Sequence, residues 1–179
     1  MKKLLTLAVV AFLASASQAA SIAWGNASTS RIVGLDGSTA ISSANAAAWG
    51  LTLTLMNADG TSTGSSASTV GMTAGVVSGA SWAYTYGTDA QNGDEFYIKA
   101  LMTVDGTTYE MNIYADQANK KNFVLDLGAN PNNTSTATFT WESGAYGGSM
   151  WTAQSVPEPT SGLLLLLGVA GLALRRKRV

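Results

Sequence analysis

Residues 95–114 read EFYIKALMTVDGTTYEMNIY, and apolar side chains alternate with polar ones on both sides of Asp105-Gly106. An Asp-Gly pair suits the positive φ angles of a two-residue type I′ turn, so the stretch predicts a β-hairpin. The pairing that starts from Val104 and Thr107 makes one face continuously apolar. The pairs on that face are Met102 with Tyr109, Ala100 with Met111 and Ile98 with Ile113, and those on the other face are Lys99 with Asn112, Leu101 with Glu110 and Tyr97 with Tyr114. The hairpin therefore predicts a sheet with one buried side.

Shorter alternating runs on either side of the hairpin extend this β pattern. They cover residues 22–24, 49–56, 82–86, 123–127 and 136–142, and a last short strand is expected in 150–153. Polar or glycine-rich stretches predict the turns and loops, at 57–60, 61–69, 116–122, 128–135 and 144–149. One helical turn is expected at 44–48. Seven or eight short strands predict an all-β fold, a single antiparallel β-sandwich of jelly-roll-like or immunoglobulin-like outline.

The N-terminus predicts an export signal. Lys2 and Lys3 precede an apolar run at 4–14, and residues 15–19 are small or polar and end in Ser-Gln-Ala. This order of basic, apolar and small residues is typical of a secretory signal peptide. We therefore expect signal peptidase to remove residues 1–19, so that the mature chain begins at Ala20.

The C-terminus, residues 156–179, reads VPEPTSGLLLLLGVAGLALRRKRV. Pro157, Glu158 and Pro159 precede an apolar segment at 162–174, and the segment is followed by the four basic residues Arg175, Arg176, Lys177 and Arg178. As a helix, 13 residues span about 20 Å against a hydrocarbon core of about 30 Å, which makes a marginal membrane helix. The basic residues should stay on the cytoplasmic side and act as the membrane stop.

These three parts in this order resemble the PEP-CTERM sorting signal, which occurs on exported proteins of Gram-negative bacteria and is handled by membrane proteases called exosortases. The resemblance implies a transient inner-membrane tether, a cut near 157–159, and a final place at the cell surface or in an extracellular matrix rich in exopolysaccharide. A permanent single-pass anchor is the alternative. The chain then divides into a signal peptide (1–19), a β-sandwich body (20–149), a linker (150–156) and the sorting tail (157–179). A signal helix at the N-terminus and a hydrophobic helix at 162–174 are expected to flank the sandwich.

Composition limits what the body can do. Between the two signals, four basic residues stand against ten acidic ones, so the net charge is −6 and binding to nucleic acid is not expected. The chain holds no His and no Cys, which excludes Ser-His-Asp and Cys-His catalysis and His zinc ligands. The carboxylates that remain as acid and base candidates for a glycosidase are Asp94, Glu95, Glu110 and Glu142. No spacing fixes two of them at a working separation, so the body is predicted not to be an enzyme.

One loop offers oxygen ligands for a cation. Residues 88–95 read TDAQNGDE, and Asp89, Asn92, Asp94 and Glu95 are candidate Ca²⁺ ligands around Gly93. Their spacing is not that of an EF-hand, and solvated turn residues are the alternative reading. No other cofactor is expected.

Four tryptophans lie in or beside the alternating runs: Trp24, Trp49, Trp82 and Trp141. Tryptophan rings at such positions either pack in the core or at its rim, or form platforms that stack on sugars. Two functions follow. The first is a non-enzymatic structural or adhesive protein of an exopolysaccharide-rich envelope, as the resemblance implies; the second is a soluble carbohydrate-binding module.

Overall fold

A computed structural model gives the fold of the body. It describes residues 20–26, 29–67, 69, 72–77, 80–85, 87–128, 137–139 and 141–154. The expected signal peptide at 1–19 and the expected sorting tail lie outside the described residues, as do the helices predicted for them. Most of the turn expected at 128–135 also lies outside.

The described residues form eleven short strands and two short helices. The strands are β1 Ala20–Trp24, β2 Ser30–Ile32, β3 Thr52–Asn57, β4 Ser62–Ala67, β5 Ala80–Tyr84, β6 Glu95–Val104, β7 Thr107–Ile113, β8 Phe123–Val124, β9 Ala137–Phe139, β10 Gly144–Tyr146 and β11 Thr152–Ala153. The helices are α1, Ser43–Ala48, and a 3-10 turn, Gly148–Met150. The Ser42 hydroxyl accepts the backbone N–H of Asn45 at 3.2 Å and caps α1, which confirms the helical turn expected at 44–48.

The predicted hairpin is β6 and β7, and its register is confirmed pair by pair, from Val104 with Thr107 to Ile98 with Ile113. Asp105 and Gly106 have φ angles of 50° and 79°, as a type I′ turn requires. The apolar face is buried, and its members on the two strands are Phe96, Ile98, Ala100, Met102, Met111 and Ile113.

This hairpin is the centre of the large sheet, which has the strand order β11-β7-β6-β3-β4, with β8 also paired to β6. All of its pairings are antiparallel. On its outer face the rings of Tyr97 and Tyr114 stack with centroids 5.8 Å apart. The alternation in the sequence thus separates a buried face of the hairpin from a solvent-facing one.

Two smaller sheets contain parallel pairs, which corrects the expectation of a purely antiparallel body. The three-stranded sheet has the order β5-β1-β9, with β1 antiparallel to β5 and parallel to β9. The two-stranded sheet pairs β2 with β10 in parallel. The all-β class is confirmed, whereas the sandwich type stays a prediction.

The prediction of a loop at 61–69 is wrong, because residues 62–67 form strand β4. This strand pairs with β3 through Ala67 with Leu53 and Ser66 with Thr54. Its only buried side chains are Ser65 and Ala67, which are too small to produce an apolar pattern in the sequence. Backbone pairing with β3, rather than side-chain burial, makes this stretch a strand.

The segment 144–154 also differs from its prediction. Residues 144–149 were expected to turn, but β10 lies there and buries Tyr146. Residues 150–156 were assigned to a linker, yet Trp151 is buried. Strand β11 joins the large sheet there, which confirms the short strand expected in 150–153. The body therefore continues through Gln154, because an aromatic anchor and a strand edge hold this segment.

One hydrophobic core is shared by the large sheet and the β5-β1-β9 sheet. Trp24 and Trp141 are buried in it, and Trp49 and Trp82 are half-buried at its rim. All four residues thus pack in the core or at its rim, and the two rim residues keep part of their rings exposed. Trp82 contacts other aromatic rings, with centroids 6.0 Å from Tyr84 and 5.7 Å from Phe96.

A buried asparagine joins the loops beside β2. Asn26 Nδ2 donates to the backbone oxygens of Ser30 and Gly75, and Asn26 Oδ1 accepts the N–H of Val77 at 2.8 Å. Gly75 has φ 78° and lies against the backbone of Ile32, so only glycine fits there. These bonds satisfy every polar atom that the buried amide brings into the core region.

Candidate functional site

The end of the body that leads into the sorting tail is built from four successive residues, 151–154, that are held in two different ways. Trp151 is buried and donates its indole N–H to the carbonyl oxygen of Val33 at 2.9 Å. Thr152 and Ala153 then pair with Glu110 and Tyr109 on the outer edge of β7. Beyond them the backbone N–H of Gln154 donates to Thr108 at 2.8 Å. The chain is thus held by side-chain burial first and by edge pairing afterwards.

A small charged cluster lies on the outer face at this point. The Glu110 carboxylate accepts from Lys99 Nζ at 2.9 Å and from Gln154 Nε2 at 2.7 Å. The hydrogen bond from Lys99, followed by that from Gln154, lowers the pKa of Glu110 below its ordinary value. The last described residue of the body is therefore tied to the hairpin by a side chain as well as by its backbone.

Gln117 covers the part of the β7 edge that β11 does not reach. Its side-chain amide donates to the carbonyl oxygen of Asn112 at 3.0 Å and accepts the backbone N–H of Tyr114 at 3.0 Å. An amide in this position takes the place of a neighbouring strand and blunts an edge that would otherwise be open to pairing. Together, β11 and Gln117 cover the outer side of β7.

The sorting motif begins close to this edge in the sequence. Ser155 and Val156 are the only residues between Gln154 and Pro157. Three Cα steps span at most about 10 Å. The motif residues Pro157, Glu158 and Pro159 and the basic residues Arg175, Arg176, Lys177 and Arg178 are themselves outside the described residues. Their roles rest on the sequence.

The four candidate Ca²⁺ ligands are each bonded to a separate partner in the protein. Asp89 accepts the backbone N–H of Thr85, Asp94 accepts that of Gln91, Asn92 accepts that of Leu127, and Glu95 accepts the side-chain amide of Asn122. These bonds close the loop and dock it on residues before and after β8. Within the described ranges, no group of three or more acidic side chains lies close enough to hold a metal ion.

The carboxylates considered for catalysis are all bonded to other groups of the fold. Glu110 pairs with Lys99, and Glu142 accepts the backbone N–H of Gln117 at 3.4 Å. Wherever a carboxyl pKa is shifted in the described part of the chain, it is lowered, and the residues concerned are Asp36, Asp59, Glu110 and Asp116. The lowered pKa of Glu110 is the opposite of what a glycosidase acid needs, which is a raised pKa that keeps the carboxyl protonated near neutral pH.

A small cleft with an aromatic wall lies near the tip of the hairpin. It has a volume of about 260 Å³ and is lined by Gly34, Leu35, Asp36, Thr39, Trp49 and Val104. The backbone of Trp49 is fixed at the C-terminal end of α1, because its backbone N–H donates to the carbonyl oxygen of Asn45 and its carbonyl oxygen accepts the backbone N–H of Thr103 of β6. Hydrogen bonds from Thr39, mainly its hydroxyl, and from Ser38 lower the pKa of Asp36 to about 2, so this carboxylate is charged at neutral pH. An aromatic wall with a charged rim can bind a small polar ligand that also has an apolar side.

Sequence reasoning expected a short strand in 150–153, but it missed the burial of Trp151 and the bond from Gln154 to Glu110, because both residues were assigned to the linker. A signal was present, because a tryptophan is rarely left in a flexible linker and Met150 to Ala153 alternates weakly.

None of the helices in the described part of the chain is long and apolar enough to cross a membrane.

Comparison with known protein families matches residues 155–178 to the PEP-CTERM protein-sorting motif. Comparison with curated proteins and with solved structures gave no match. The match covers the tail and begins directly after the last described residue, Gln154. The chain is therefore an exported protein with a β-rich body, whose C-terminal tail is a PEP-CTERM motif that directs it to an exosortase and anchors it transiently in the membrane.

Proposed function

We propose that the body acts outside a Gram-negative cell as a non-enzymatic structural or adhesive protein of an exopolysaccharide-rich envelope. Signal peptidase removes residues 1–19, the tail holds the chain at the inner membrane, and a cut near 157–159 releases the body to the cell surface or the extracellular matrix. The observation that carries this proposal is the sorting motif directly after a folded β body.

The chemistry of the body supports a role without catalysis. It has no His or Cys, and its shifted carboxyls in the described ranges are more acidic than usual rather than less. Carboxylates bonded to Lys99, to backbone N–H groups and to turn residues stabilise the fold. A charge of −6 on the body also favours neutral or cationic partners over nucleic acid.

The experiment is a comparison of the host with and without the gene for this chain. We expect the mature protein in the exopolysaccharide-containing surface fraction, and weaker cell aggregation or matrix cohesion in its absence. Full matrix cohesion in the deletion strain, with the protein found free in the medium, would contradict the structural role.

A carbohydrate-binding module is the second candidate, and the Trp49 cleft favours it. The half-buried indole of Trp49, the Asp36 carboxylate and the Thr39 hydroxyl offer a stacking surface and polar groups within one cleft. Sugars present both an apolar face and hydroxyl groups, so this combination suits a single sugar unit.

The two candidates are separated by glycan binding to the purified mature protein. If the body is a binding module, Trp49→Ala should abolish retention on immobilised host exopolysaccharide, and Trp49→Phe should keep part of it. Tyr97→Ala is the matched control, because it removes a partly exposed aromatic ring from the outer face of the sheet, away from the cleft. Equal retention of all variants, or none by the native protein, would leave the structural role alone.

A further inference from the structure

The last strand of the body is held far more weakly than its neighbour. β11 contributes two residue pairs to the large sheet, whereas β6 and β7 share seven. Thr152, Ala153 and Gln154 are all exposed, so no core contact is lost when they leave. Detaching β11 removes the edge pairing and the side-chain bond from Gln154 to Glu110.

Trp151, directly before β11, is held in a different way. Its side chain is 6% exposed and belongs to the hydrophobic core. Its indole N–H bonds to the carbonyl oxygen of Val33, 118 residues earlier in the chain. Removing it would open a cavity and leave the Val33 carbonyl oxygen without its partner. A boundary between easy and costly detachment therefore lies between Trp151 and Thr152.

Glu110 keeps a charged partner when Gln154 detaches. Its carboxylate keeps the ion pair with Lys99 at 2.9 Å when the Gln154 amide leaves, so no unpaired charge is produced. The backbone groups that β11 releases on β7 lie at a sheet edge, where water can take the place of the lost partners.

A protease needs this detachment. Proteases bind the substrate as an extended chain on both sides of the bond that is cut, and with β11 in place only Ser155 and Val156 separate the sheet from Pro157. Releasing Thr152 to Gln154 lengthens the free chain between the core and Pro157 from about 10 Å to about 20 Å. The longer chain lets the motif enter an active site without contact between the folded body and the enzyme.

We propose that β11 is a detachable strand: the exosortase binds the chain with Thr152, Ala153 and Gln154 released from β7, and Trp151 stops the release so that the body stays folded. The inference rests on the proposed processing of the tail near 157–159. It adds a conformational step before the cut and assigns Trp151 as the fixed end of the exosortase substrate. After the cut, β11 returns to cover the edge of β7.

The test is a disulfide that locks β11, which is clean because the chain has no cysteine of its own. Gln154 donates to Thr108, so Thr108 and Glu110 direct their backbone groups toward β11 and Tyr109 does not. Tyr109 and Ala153 are thus a non-hydrogen-bonded pair, the kind whose side chains come closest. We expect the double variant Tyr109→Cys, Ala153→Cys to form the bridge in the oxidising compartment outside the inner membrane.

The matched control is Thr103→Cys with Thr108→Cys, within the hairpin. The hydroxyls of these two residues are 3.2 Å apart across β6 and β7, a pairing that has no need to open. In a host with the exosortase, the β11 lock should leave the full-length chain uncut in the membrane, and reductant should restore the cut. The hairpin lock and each single variant should be processed like the native chain. Normal processing of the β11-locked chain would overturn the proposal, whereas a native chain that is never cut would contradict the processing itself.

A second variant covers the case in which the lock disturbs folding. Gln154→Pro removes the N–H that bonds to Thr108 and leaves Trp151 in place. Because it loosens β11 in advance, it should be cut at least as fast as the native chain. Slower cutting of a Gln154→Pro chain whose body melts normally would count against a detachable strand.

Discussion

Trp24 of β1 donates its indole N–H to the hydroxyl of Ser65 of β4 at 3.0 Å, and both residues are buried. This bond joins the β5-β1-β9 sheet to β4, the edge strand of the large sheet, through the core. It also explains why a serine lies at a buried position of a strand, since the largest fully buried side chain brings a polar atom with it.

Ser65→Ala should therefore destabilise the body. The variant leaves a buried N–H without an acceptor, which costs about 1–3 kcal/mol of the free energy of unfolding. Urea unfolding of the mature protein measures the loss. The control is Ser66→Ala, an exposed neighbour on the same strand, for which we expect a change within about 0.5 kcal/mol. Equal effects of the two variants would contradict the role given to the Trp24 bond.

Gly106→Val should destabilise the hairpin. Gly106 has φ 79°, a conformation that strains a β-branched residue by about 1–3 kcal/mol. A Cβ atom there would meet no other atom within 4 Å, so the effect measures backbone strain alone. Gly106→Asn is the control, because asparagine tolerates this region and should cost much less. An unchanged melting temperature for Gly106→Val would refute the turn.

Glu110→Gln should lower stability at neutral pH and lose its effect in acid. The pKa of Glu110 is lowered in the folded protein, so its contribution is present above the ordinary value of 4.5 and is lost as the pH falls through the lowered value. The ion pair with Lys99 is partly exposed and screened, so we expect a loss below about 1 kcal/mol at pH 7. Urea midpoints at pH 7 and pH 3 test this. A gap that widens at pH 3 would reverse the assignment.

Calcium should bind weakly or not at all to the 88–95 loop. The oxygens of Asp89, Asn92 and Asp94 already accept backbone N–H groups of separate partners, so a cation would have to displace them. Titration calorimetry of the mature protein with Ca²⁺ should show no binding in the micromolar range. Micromolar binding that is lost in Asp94→Ala would establish the site instead.

The tail should be absent from the mature surface protein. An apolar segment of 13 residues is short for a permanent membrane anchor, and proline disfavours a helical conformation in the residue before it, which suits a protease substrate. Mass spectrometry of the protein from its native host should find a C-terminus near 157–159. Replacing Pro157, Glu158 and Pro159 should leave an uncut, membrane-bound form, and neutral residues at 175–178 should disturb its orientation. Recovery of the intact Arg-Arg-Lys-Arg-Val end from the surface fraction would make the tail an anchor.

The hairpin could be predicted to the residue because its information is local. The Asp105-Gly106 turn fixes the register, and ten residues of alternation on β6 fix the face. Strand β4 could not be predicted in this way, because its inward residues Ser65 and Ala67 carry almost no apolar signal. Its place is decided by the edge of β3 and by the indole of Trp24, which lies 41 residues away.

The parallel pairs were beyond sequence reasoning for the same reason. The pairs β1 with β9 and β2 with β10 join segments more than 100 residues apart. In β2, Ile32 is the only buried apolar side chain, so the strand leaves little apolar signal in the sequence. The sorting motif was readable because it is a linear signal. The arrangement of the 88–95 loop was not, since Asn92 bonds to Leu127, 35 residues further on.

The pairing of β1 with β9 sets an order of events for export. In a chain that leaves the cell N-terminus first, β1 is outside long before residues 137–139 arrive to pair with it. Trp151 emerges later still, 118 residues after its hydrogen-bond partner Val33. The body can thus complete its fold only after Trp151 has emerged, and ten residues separate Trp151 from the apolar segment at 162–174. Completion of the fold and arrival of the apolar segment at the membrane are therefore expected close together in time.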